Sequence, residues 1–75
     1  FNPITTIEFS VPELSTGSVA IYDIQGRKVE TLLTGEILQG KHTIQWNASA
    51  FASGIYFIFL DSRGNIKNQK VVLMK

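Results

Sequence analysis

No window of this chain long enough for a globular helix spaces its apolar residues at i, i+3 and i+4; they alternate one by one in short runs punctuated by glycine, proline and asparagine. That pattern confines the fold to β structure. Ile7, Phe9 and Val11 alternate with Glu8 and Ser10, and Pro12 ends the run by removing a backbone donor. After a loop over residues 13–18, Val19-Ala20-Ile21-Tyr22 leads into Asp23-Ile24-Gln25-Gly26 and then a second run from Arg27 to Leu33. This is a hairpin signature, in which Asp23 bonds the turn backbone and Gly26 takes a positive φ. Thr34-Gly35-Glu36 reads as a break and Gly40 as another, before His42, Ile44 and Trp46 alternate with Thr43 and Gln45. Residues 47–53 form a polar connection around Phe51. The strand Ile55 to Leu60 follows Gly54, and a tight turn over Asp61 to Asn65 returns the chain through Lys70-Val71-Val72-Leu73-Met74-Lys75. Strands at this spacing predict a sandwich of two antiparallel sheets.

Size leaves such a sandwich one thin core. A chain of 75 residues sits where roughly 60% of the unfolded surface can be buried, which argues against a deep catalytic cavity. There is no cysteine, hence no disulfide and no thiolate metal site, and stability must come from packing. The net charge is +1, and Lys28, Lys41, Lys67, Lys70 and Lys75 are scattered, which argues against nucleic acid. No apolar run approaches the roughly 20 residues of a membrane-spanning helix. The start Phe1-Asn2-Pro3 lacks the regions of a signal peptide and suggests a piece of a longer precursor.

The aromatic strand poses a question that periodicity does not answer. Tyr56, Ile58 and Leu60 form one apolar face, and Ile55, Phe57 and Phe59 form another. Either neighbouring side chains cover the second face, or Phe57 and Phe59 contribute to an exposed apolar contact surface. The final strand is equally suggestive, since most domains finish in a few polar residues whereas this sequence runs into its last lysine through Val71-Val72-Leu73.

Chemistry is sparse. His42 is the only histidine and has no cysteine or spaced carboxylates to share a metal with, so a partly buried strand histidine is the expected role. No Gly-x-Ser-x-Gly elbow is present, and Glu8, Asp23, Glu30, Glu36 and Asp61 read as solvated surface acids. The glycines between Gly35 and Gly54 match no phosphate-cradling motif. Trp46 with Tyr22 and Tyr56 fits either a sugar-stacking platform or, more simply, the aromatic centre of the core. No cofactor is expected, and no catalytic constellation is legible.

Several segments in order carry a family resemblance over essentially the whole chain. They are Asn2-Pro3 with Thr5 to Pro12, Val19 to Val29, Gly40 to Trp46, Ala52 to Phe57, and Lys70 to Lys75. Together they resemble the type A C-terminal sorting domain of the type IX (Por) secretion system. The resemblance implies an all-β fold, a small immunoglobulin-like antiparallel β-sandwich of about seven strands. It implies a single non-enzymatic domain over residues 1–75, following an upstream cargo domain. It further implies export through the periplasm and across the outer membrane to the cell surface or medium, recognition by outer-membrane secretion machinery, and removal by a sortase-like peptidase. Gly54, Tyr56, Lys70, Val71, Val72, Leu73 and Lys75 match the family's two C-terminal motifs and are the candidates for sorting recognition. A basic residue often replaces Phe59 in related sequences, which suggests that Tyr56, Ile58 and Leu60 face inward. These residues also admit purely structural roles: Gly54 in the backbone turn, Tyr56 in the core or a tyrosine corner, and the last strand in completing a sheet. A hook-capping-like structural or adhesion module and a carbohydrate-binding module are the alternative readings.

Overall fold

The computed structural model describes residues 2–74. Six strands follow one another: β1 (Ile4–Val11), β2 (Ser15–Asp23), β3 (Lys28–Ile37), β4 (Gly40–Asn47), β5 (Gly54–Ser62) and β6 (Asn65–Leu73). All neighbours pair antiparallel, β1 with β4 in a two-stranded sheet and the others in a four-stranded sheet of order β3-β2-β5-β6. The expectation of an all-β antiparallel sandwich holds, but the described residues form six strands where about seven were expected.

One reason is that Thr34-Gly35-Glu36 does not break the chain. β3 runs straight through it, pairing Thr34 with Ser18, Gly35 with Gly17 and Glu36 with Thr16. Gly17 is the tight point of this ladder. A Cβ there would lie 1.9 Å from the Asp61 carbonyl oxygen of β5, so no side chain fits between the strands. β6 likewise begins at Asn65, well before the apolar residues that announce it, because its polar first half pairs in register with β5.

Turn chemistry sets the two hairpins. Between β2 and β3 the Asp23 carboxylate accepts the backbone N–H groups of Gln25 and Arg27, both at 2.9 Å, and Gly26 adopts φ +84°. Between β5 and β6 only Arg63 and Gly64 intervene, at φ +54° and +80°, the two left-handed positions of a type I′ turn whose twist matches the strands it joins. Arg63 bridges back to Glu13 at 2.6 Å, tying this turn to the loop after β1.

The core lies between the sheets. Ile7, Trp46 and Ala48 from the smaller sheet and its exit meet Val19, Ile21, Tyr56, Ile58 and Leu73 from the larger one. Trp46 is wholly buried, its ring 5.4 Å from Tyr56 and 5.7 Å from Phe51, and its indole N–H donates to Glu30 at 3.1 Å. Each such large side chain contributes on the order of 1.5–3 kcal/mol of burial free energy, a large share for a domain this small. Every buried side-chain polar atom among the described residues has a hydrogen-bond partner.

Candidate functional site

The last hairpin splits its residues cleanly between two surfaces. On β5, Tyr56 and Ile58 are buried and Leu60 is half-buried toward the core, whereas Phe57 and Phe59 lie half-buried on the opposite face. This shows which face of β5 turns to the core. On β6, Leu73 is 1% exposed and Val71 packs beside the core, while Lys70 and Val72 are exposed on the other side. β6 pairs only with β5, so it forms an edge of the larger sheet.

Gly54 and Tyr56 show what the start of β5 requires. Gly54 pairs with Leu73 and holds φ +154° with open space where a Cβ would stand, so its constraint is backbone conformation, not crowding. Tyr56 donates its phenolic O–H to the Ala52 carbonyl at 2.7 Å, the geometry of a tyrosine corner closing the loop that enters the strand.

Register joins the outward residues into a row. Phe57 of β5 stands opposite Lys70 of β6 on one side and Tyr22 of β2 on the other, and Tyr22 in turn stands opposite Lys28 of β3. In the next row Phe59 meets the Tyr22 ring edge-on at 4.9 Å, and the Lys28 ammonium sits 5.9 Å from the Tyr22 ring centre. Tyr22 and Lys28 were missed from the candidates because only the strand order β3-β2-β5-β6 brings them beside the terminal hairpin. At the end of this face Asp23 is held below its ordinary carboxyl value of 3.8, chiefly by the Arg27 backbone N–H it accepts and further by the Arg27 side chain and the Gln25 N–H.

The family model described as the secretion system C-terminal sorting domain matches residues 1–74. This chain belongs to the type IX secretion sorting-domain family. No curated protein and no solved structure matches the chain. Membership makes the sorting domain a signal for type IX secretion, and the cargo that carries such a signal is secreted or held at the cell surface.

Of the sorting domain's candidate recognition residues, Lys70 and Val72 lie on the outer face, while Tyr56, Val71 and Leu73 contribute to the core side and Gly54 to the backbone at the strand entrance. Lys75 lies outside the described residues. Trp46 presents no ring face to a sugar, being wholly buried. His42 stacks on Phe9 at 5.1 Å and hydrogen-bonds the Leu38 carbonyl through Nε2 at 2.6 Å, the role of a strand histidine. Among the described residues no three His, Cys, Asp or Glu side chains gather as a metal site, and no helix is long and apolar enough to cross a membrane.

Proposed function

We propose that this sorting domain is a non-enzymatic export address, read by the outer-membrane secretion machinery on the exposed part of its last strand and cut from a preceding cargo domain by a sortase-like peptidase. One observation carries the reading: β6 commits Val71 and Leu73 to the core side and leaves Lys70 and Val72 outside. A strand that must both complete a sandwich and be recognised needs that division, since a residue buried to hold the fold is out of a receptor's reach. Gly54 and Tyr56 then act through the fold, and Lys75 joins Lys70 as the second basic candidate.

Fusing residues 1–75 to a periplasmic reporter, in a host that has the machinery, tests the address. The wild-type fusion should reach the medium or cell surface, and Lys70→Ala with Lys75→Ala should stop it in the periplasm at an unchanged melting temperature. Unimpaired export of that double variant would refute reading through the lysines. Removal of the domain is tested by the mass of the exported reporter, which should lack the domain in the complete host and keep it in a peptidase-deficient one.

A further inference from the structure

The row Lys28–Tyr22–Phe57–Lys70 crosses all four strands of the larger sheet in register. With neighbouring strands about 4.8 Å apart, its two ends lie roughly 14 Å apart. The surface beside it is apolar and concave. Tyr22, Phe57 and Phe59, with Ile24, Ile66 and the Arg27-paired Asp23, line an open depression of about 400 Å³, and the two isoleucines are 66% and 61% exposed. Contiguous exposed apolar surface of this kind marks a contact site.

The charges at its two ends are not neutralised from within. Among the described residues the side chains of Lys70 and Lys28 make no ion pair or hydrogen bond, and the Lys28 ammonium lies over the Tyr22 ring. The neighbouring carboxylates are engaged elsewhere: Asp23 with Arg27 at 3.0 Å, and Asp61 as acceptor for the Gly64 N–H at 3.2 Å. A largely apolar hollow beside a row that ends in two unpaired cations is complementary to a segment that carries both apolar side chains and anions. An anionic lipid surface fits less well, because stable electrostatic attachment takes clusters of about four to eight basic residues and this chain has a net charge of +1.

The geometry points to the outer face of the four-stranded sheet as a docking site for an acidic protein segment, its apolar side chains in the Tyr22/Phe57/Phe59 depression and its carboxylates on Lys28 and Lys70. This rests on the sorting reading and deepens it, since it extends the surface that is read from β6 across β5 and β2 to β3 and names the chemistry of the reader.

Three probes test it on the isotope-labelled full chain by nuclear magnetic resonance: a Glu-Glu-Leu-Phe-Leu-Glu-Glu peptide, the same apolar centre flanked by lysines, and phosphatidylglycerol vesicles. The acidic peptide should shift the amides around Tyr22, Phe57, Phe59 and Lys70. Lys28→Glu with Lys70→Glu should weaken it about tenfold or more while lowering the melting temperature only by the few degrees that loss of the Lys28–Tyr22 contact accounts for, and the lysine-flanked peptide should bind weakly at best. If the charge-reversed variant fails to fold, Lys28→Gln with Lys70→Gln gives the same comparison. Equal binding of both peptides, shifts confined to another surface, preferential binding to vesicles, or self-association through this face would overturn the proposal. Export of the reporter fusion separates the two levels of inference. A wild-type domain that fails to export removes the sorting reading, whereas export that survives Lys28→Glu and Tyr22→Ser removes only the docking site.

Discussion

The two faces of the β5–β6 hairpin are built from nearly the same amino acids and do opposite things. Inward, Tyr56, Ile58 and Leu73 are buried against Trp46, Ile7 and Val19. Outward, Phe57, Phe59 and Val72 are equally apolar, yet they stay half-buried or exposed and are bounded by lysines. Apolar composition therefore does not distinguish a residue that holds this fold from one that is free to be touched. What distinguishes them is the opposing sheet: the β1–β4 pair covers the inner face, and no described element covers the outer one.

The contrast is broken most severely from the inside. Trp46→Ala removes the largest buried side chain, with its two ring contacts and the indole bond to Glu30, and should cost about 3–5 kcal/mol. In a domain whose whole stability is on the order of 0.1 kcal/mol per residue, this removes roughly half of it, so the urea midpoint should fall steeply while the chain stays mostly folded in water. Leu73→Ala, at the far end of the hairpin, should follow at about 2–4 kcal/mol. Urea denaturation followed by circular dichroism measures both. A Trp46→Ala variant as stable as wild type would show that the inner face is not the one holding the fold.

A milder change tests whether the start of β5 is structural. Tyr56→Phe keeps the ring against Trp46 and deletes only the hydroxyl that reaches the Ala52 carbonyl, so the loss should be about 1 kcal/mol with the fold intact. Export reduced far beyond that small loss would mean that the hydroxyl is itself recognised.

Acidification should act on the neighbouring strand at the same end of the larger sheet, where Asp23 pairs opposite Tyr56. The Asp23 carboxyl has a lower pKa in the folded chain than its ordinary 3.8, so the folded state favours the ionised form. Its contribution is therefore fully present above that ordinary value and is lost as the pH falls through the lowered one. Melting temperature measured from pH 6 downward should fall in that acid range, and Asp23→Asn should flatten part of the decline. A variant with the same acid profile as wild type would show that the turn carboxylate is not linked to folding.

Much of this architecture was legible because local rules and tertiary needs agree. Pro12 ends β1 after Val11, Asp23 and Gly26 make the first hairpin, and the alternation around Trp46 puts the indole in the core. Gly35 misled because a glycine between polar residues looks like a turn. Inside β3 it pairs with Gly17 and holds φ +110° with open space where a Cβ would stand, so it answers a backbone requirement of the ladder, whose partner strand is not local in sequence. β6 was recognised only in its apolar half, because the Asn65 to Gln69 stretch lies on an exposed edge and carries no hydrophobic alternation. The candidate site was half visible for a similar reason. Lys70 and Phe57 sit on the hairpin, but Tyr22 and Lys28 join them only through the order of strands in the sheet.

The smallest expected effects lie along the outer row, and they separate its two ends. Lys28 holds its ammonium over the Tyr22 ring, a contact worth about 0.5 kcal/mol at an exposed site, so Lys28→Ala should lower stability by roughly that amount. Lys70 has no such partner, and Lys70→Ala should leave stability unchanged within about 0.5 kcal/mol. If both substitutions are nearly silent in urea yet each lowers export, the row is being read from both ends. If Lys70→Ala unfolds the chain, the outer face contributes to folding as the inner one does, and the contrast between them fails. Tyr22 decides the intermediate case: Tyr22→Ser removes the ring shared by Lys28 and Phe59, and a stability loss above about 1.5 kcal/mol would mean that aromatic packing on the outer face is itself structural.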